Sequence, residues 1–161
     1  MLVNNAAISG GIGSLREQLR TAFDTNATGP AVVASTFLPL LLASTHPGRR
    51  IVNISSGAGS ISRRLDTSSA MYKMKGGWQY RASKAALNML NACMQVEYGE
   101  LGIKVLAFDP GFTRSNLSEH NTKNNGAREA RESVKPLVEL IEGKRDEEVG
   151  ALLHNSGAYG W

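Results

Sequence analysis

The stretch WQYRASKAALNMLNACMQVEYGELGIKVLAFDPG, residues 78–111, decides the fold. Its first part carries Ala82, Ala85, Ala86, Met89, Leu90, Cys93 and Val96 at helical spacing, which predicts a long helix with those residues toward the core. The helix stops at the Leu101-Gly102 turn. The apolar run that follows, halted by Asp109-Pro110-Gly111, reads as a short strand buried on both faces. Working outward, IVNIS (residues 51–55) is a second buried strand. Before it, Leu19, Ala22, Phe23, Ala27, Val33, Phe37, Leu40 and Leu41 follow a helical period, with Gly29 and Pro30 placed to bend the helix. MLVNNAA at the start is a strand end running into a polar turn. Strands separated by helices of this length run parallel, because a crossover of that size returns the chain to the same edge. The predicted architecture is α/β: the carboxyl-terminal part of a doubly wound parallel-sheet (Rossmann) domain, occupying residues 1–161 as one unit.

Composition narrows the function classes. A chain of 161 residues with 42% hydrophobic and 20% charged content has the profile of one folded domain. Cys93 is the sole cysteine, which excludes an intrachain disulfide and a four-thiolate zinc site and fits a reducing, cytoplasmic setting. It is expected in the core. The longest apolar run is broken by Ser35, Thr36 and Pro39, and Met1-Leu2-Val3 carries no basic leader, so no membrane partner is expected. The net charge of +4 is spread along the chain without a nucleic-acid-binding motif, so no nucleic-acid partner is expected either. His46, His120 and His154 have no metal-ligand spacing, and no metal site is predicted. Residues 57–77 are expected to be irregular, and KRDEE (144–148) a solvated turn.

Chemistry enters with Tyr80 and Lys84. Positions i and i+4 of a helix share a face, so a phenol and an ammonium can meet in one pocket. A free phenol has a pKa of about 10; a lysine charge about 5 Å away, at an effective dielectric near 20, contributes roughly 3 kcal/mol, or about two pKa units downward. Such a tyrosine becomes a general acid and base for interconverting an alcohol and a carbonyl. Ser56 ends one buried strand in IVNISSGAG and FDPGFTRSN ends the next, at the carboxyl edge where open parallel sheets hold their sites.

These motifs, with LVNNAA at the start and FDTNATG in the first long helix, resemble the short-chain dehydrogenase/reductase family. The resemblance implies an NAD(P)-dependent oxidoreductase acting on a small carbonyl compound or the corresponding alcohol. It makes Tyr80 the acid/base, and Lys84 its activator and a ribose ligand. Ser56, which stands two residues before Ala58-Gly59, holds the substrate oxygen in preference to Ser55. Asn26 holds a water in the proton relay. Asn4 lines the adenosine side of the cofactor, and Pro110, Gly111 and Thr113 pass the nicotinamide. Ala7 stands where the family usually has glycine, and Ser115 where it often has threonine. GGWQYRASKAALN and the tail ESVKPLVELIEGKRDEEVGALLHNSGAYGW look like the sniffer-type carbonyl reductases and the related C-signal proteins, which implies NADP as cofactor, with NAD as the alternative.

One family feature has no counterpart. The glycine-rich turn TGxxxGxG, which follows a strand, opens a helix and holds the pyrophosphate, is not found, and SGGIGS (residues 9–14) falls after the asparagine turn instead. The reading is therefore of a partial domain without the first three strands. It leaves an apolar sheet edge bare, so copies are expected to pair through that edge or the long helices. A non-catalytic binding or interaction protein built on the same remnant is the alternative that the residues leave open.

Overall fold

The computed structural model describes all 161 residues. Strand β1 (Leu2–Asn4) leads through a ten-residue loop to helix α1 (Leu15–Phe23), a π-helical turn (Asp24–Thr28) and helix α2 (Gly29–Ala43). Then come β2 (Arg50–Ile54), two short helices, α3 (Ile61–Leu65) and α4 (Ala70–Lys73), the long α5 (Trp78–Gly99), and β3 (Lys104–Asp109). Helix α6 (Ala130–Ile141) precedes β4 (Leu152–His154) and β5 (Gly157–Tyr159). The sheet order is β1-β2-β3-β4-β5. The first four strands are parallel and β5 returns antiparallel against β4, a hairpin that the parallel reading did not anticipate. Every residue of β2 is buried, as are Val105–Asp109 of β3, as two-sided cover requires. One sheet face packs Ile51 and Val105 against Ala34, Leu41 and Met94 of the helices. The other packs Val52, Ile54, Leu106 and Phe108 against Leu140 of α6 and Leu153.

The helices turn differently from their hydrophobic pattern. On α5 the buried residues are Ser83, Lys84, Leu87, Asn88, Asn91 and Met94, while Met89 and Val96 are 66% and 70% exposed and Cys93 is exposed rather than in the core. On the first long helix the small Ala22, Ala27 and Ala34 face inward with Leu41, and Val33, Phe37 and Leu40 are exposed. The reason is polar demand. Buried polar groups on and beside the sheet seek partners: Asn53 donates to Asn91 Oδ1 at 2.9 Å and to this set Asn4 adds a bond to Asn53 Oδ1 at 2.8 Å, while Ser55 donates to Asn88 Oδ1, the Nδ2 groups of Asn88 and Asn91 being left without a partner. By length and composition Leu15–Ala43 could cross a membrane; in this fold its alanine side lies against the sheet and α5.

Residues 57–77 are more ordered than expected, because Ser60 and Ser69 accept from Arg63 N and Met71 N and so cap α3 and α4. The KRDEE segment is an anchor and not a solvated turn. Asp146 pairs with the buried Arg50 at 2.8 Å and with Lys104, and Arg145 binds Glu148 and the carbonyls of His154 and Gly157.

Candidate active site

A cleft of about 530 Å³ opens at the carboxyl ends of β2 and β3, lined by Ser56, Tyr80, Lys84, Asp109, Pro110, Gly111 and Thr113 among others. Six of the residues picked from the sequence therefore meet there. Tyr80 and Lys84 share a face of α5 as the spacing requires, with Lys84 Nζ 5.8 Å from the Tyr80 ring centroid. Lys84 is 1% exposed and donates to the Ile54 carbonyl at 2.8 Å. Its other two N–H groups have no partner within the protein, and a buried ammonium with two open donors fits the paired hydroxyls of a ribose.

The electrostatics correct one expectation. The Tyr80 phenol is pushed up, not down: burial dominates, the Asp109 carboxylate adds to it, and the Ser56 hydroxyl opposes both. Lys84 is lowered to about 8 by burial, with Asp109 pulling the other way. In the protein alone desolvation thus outweighs the phenol–ammonium attraction. The ammonium is committed to the Ile54 carbonyl beneath the ring.

The two serines separate cleanly. Ser55 is buried and spends its proton on Asn88 Oδ1. Ser56 Oγ accepts from Ala58 N at 3.1 Å, which leaves its own O–H turned into the cleft, where it steadies the Tyr80 oxygen. The loop behind Ser56 lies flat on α5. A β-carbon on Gly59 would sit 2.6 Å from the Lys84 carbonyl carbon and 2.7 Å from Ala85 N, so Gly59→Ala must push the loop off the helix. Overpacking of this kind costs about 1 to 3 kcal/mol, or roughly 3 to 10 °C of melting temperature; an unchanged Tm would show that the loop yields freely.

Two other residues are placed differently from their expected roles. Asn4 turns into the buried ladder, donating to Pro30 O at 3.3 Å and to Asn53 Oδ1, and the neighbouring Asn5 lines the cleft in its stead. Asn26 is fully buried in the π-helical turn. Its amide exchanges bonds with the Ile8 backbone at 2.9 and 2.8 Å and donates to Ser83 Oγ at 2.9 Å. Its side chain therefore ties the loop after β1 to the turn of α5 that carries Lys84. Thr113 lies in the cleft wall, with Oγ1 bound to Gly111 O and Ser133 Oγ at 3.0 and 2.8 Å. Sequence reasoning missed Asp109, although it stands directly before Pro110-Gly111. It also missed Ser133, Val134 and Leu137 of α6, whose place at the mouth depends on a crossover that no local motif encodes.

SGGIGS does lie between a strand and a helix, but that helix start is occupied. Ser14 and Glu17 form a capping box, with Glu17 Oε2 accepting from Ser14 N at 2.7 Å. A carboxylate already sits where a phosphate would bind.

Residues 1–126 match the family model for short chain dehydrogenases. The short-chain dehydrogenase anuI of Penicillium roqueforti is 38% identical over 171 residues, covering all of this chain and 66% of that protein. C-signal of Myxococcus xanthus is 29% identical, covering 98% of this chain and 89% of that one. Among solved structures, NADPH-bound carbonyl reductase from chicken fatty liver superposes with a TM-score of 0.78 at 28% identity, and carbonyl reductase Sniffer of D. melanogaster with 0.80 at 24%. Each covers 99% of this chain, which spans 65% of either reductase.

Proposed function

Because the chain belongs to the short chain dehydrogenase family, we propose that it serves as an NAD(P)-dependent oxidoreductase that reduces a small carbonyl compound or oxidises the corresponding alcohol. The observation that carries this reading is the meeting of Tyr80, Lys84 and Ser56 in one cleft at the carboxyl ends of β2 and β3. When bound, the nicotinamide cofactor supplies or accepts the hydride. The protein's part is proton transfer and orientation. Ser56 turns its O–H from the Tyr80 phenol to the substrate oxygen, and Tyr80 gives that oxygen a proton in reduction or removes one in oxidation. Lys84 offers its two open N–H groups to the ribose, and Pro110, Gly111 and Thr113 wall the nicotinamide side. NADP is favoured by likeness to the NADPH-bound chicken reductase, and the lone thiol favours the cytoplasm.

The test is Lys84→Ala in a chain extended at its amino terminus by a family-type strand and glycine-rich turn. Both turnover and cofactor affinity should fall; unchanged affinity would remove the ribose role. The pH profile adds a sign. Burial lowers Lys84 to about 8, so kcat/KM for reduction should decline as pH rises through that value and the ammonium discharges. Tyr80, whose pKa is raised, stays protonated over the same interval and cannot produce the limb. A flat profile up to a pH of about 9 would dismiss a role for the Lys84 charge.

A further inference from the structure

Asp109 ends β3 in the wall of the cleft, and the chemistry above gives it no task. It is 6% exposed and takes part in none of the ion pairs of the molecule. Its two oxygens instead accept from two backbone amides on different loops: Oδ2 from Gly57 N at 2.9 Å and Oδ1 from Gly111 N at 2.8 Å. Gly57 follows Ser56 directly, and Gly111 lies in the wall between Pro110 and Thr113. The last backbone bond between the two strand ends is Ser55 N to Phe108 O at 2.7 Å, and beyond it no backbone bond joins residues 56–60 to 110–113. The carboxylate spans that gap.

The space beside the Gly57 α-carbon is closed as well. A β-carbon there would run into the Arg63 guanidinium, and would lie 2.8 Å from Tyr159 Cε2 and 2.9 Å from Asp109 Oδ2. Arg63 sits 3.9 Å over the Tyr159 ring, which stacks on His154 at 4.1 Å. Trp161 O accepts from Ser62 N at 3.0 Å, so the carboxyl-terminal hairpin backs the same loop. The Ser56 loop is thus held between a cation–aromatic stack and a carboxylate.

We propose that Asp109 is a positioning residue, a clamp that fixes the Ser56 loop against the Pro110–Thr113 wall and thereby sets where the substrate oxygen meets the Ser56 hydroxyl. The clamp itself stands on the geometry of this chain; its catalytic consequence rests on the function proposed above. Two measurements keep the claims apart.

The first is amide hydrogen exchange by NMR on the 161-residue protein. The Gly57 and Gly111 amides should be protected, and in Asp109→Ala both should exchange at least about tenfold faster while Val52 and Leu106 of the strands keep their protection. Asp109→Asn, which can accept from one amide but turns an NH₂ toward the other, should release only one of the pair. Unprotected Gly57 and Gly111 amides in the unmutated protein would overturn the clamp even if the alanine variant failed to fold. So would Gly57 and Gly111 exchange rates that ignore the substitutions.

The second is turnover by Asp109→Asn in the amino-terminally extended chain. Here kcat should fall at least about tenfold with KM within about threefold, because a displaced donor is felt in the transition state. A change in KM alone would overturn the catalytic consequence. An unmutated extended chain without turnover would count against the proposed function, while the exchange result would still decide the clamp.

Discussion

In the amino-terminally extended chain, Tyr80→Phe is expected to abolish carbonyl reduction, lowering kcat by at least about a thousandfold, while cofactor affinity stays within about twofold. The asymmetry follows from what the substitution removes. The ring remains in place beside the Lys84 ammonium, so the packing of the cleft is kept. Only the phenolic O–H is lost, and no other group at the mouth replaces it. Ser56 carries an O–H, but an alkyl hydroxyl is far too weak an acid to complete the transfer. Lys84 holds its ammonium on the Ile54 carbonyl, beneath the ring. The raised phenol pKa sharpens the expectation, since Tyr80 is stored in the protonated form that reduction consumes. Steady-state turnover of a reactive aldehyde, together with fluorescence titration of NADPH, is the measurement. Turnover in the phenylalanine variant within tenfold of the unmutated protein would dismiss Tyr80 as the acid.

The second large effect concerns the 161-residue chain by itself, which is expected to bind NADPH poorly in spite of the Ser56, Tyr80 and Lys84 cleft. Dinucleotide affinity in such folds leans on pyrophosphate oxygens meeting backbone amides at a helix start, and charge-assisted bonds of this kind contribute about 1.5 to 3 kcal/mol each. The helix that follows the glycine-rich SGGIGS stretch is α1, and its start is already capped by the Ser14–Glu17 pair. A phosphate there would meet a carboxylate and be repelled. Losing two or three bonds weakens binding by roughly 3 to 9 kcal/mol, which moves a micromolar site to a dissociation constant between about 0.2 mM and the molar range. In the proposed function Lys84 and the Pro110–Thr113 wall serve only the ribose and nicotinamide end and would not compensate. Isothermal calorimetry on the purified chain decides the matter: a dissociation constant in the low micromolar range would show that a phosphate site exists among these residues after all.

The sequence by itself determined the alternation of strands and helices, the parallel order of β1 to β3, and the meeting of Ser56, Tyr80, Lys84 and Pro110–Thr113. Those features are local. A buried run such as IVNIS is legible because both of its faces are apolar, and Tyr80 and Lys84 share a face through helix geometry alone. What only the tertiary structure decided depends on which polar group meets which across the core. Asn53, Ser55 and Asn4 on the strands draw Asn91 and Asn88 inward, and this turns Met89, Cys93 and Val96 outward against the hydrophobic pattern. Asn26 became a tie between Ile8 and Ser83, and Asp146 the partner of a buried arginine 96 positions away. Asp109 shows the limit most plainly. Its place before Pro110-Gly111 is visible in the sequence, but the two amides it accepts belong to loops more than fifty positions apart, and only the parallel register of β2 and β3 brings both within reach of one carboxylate.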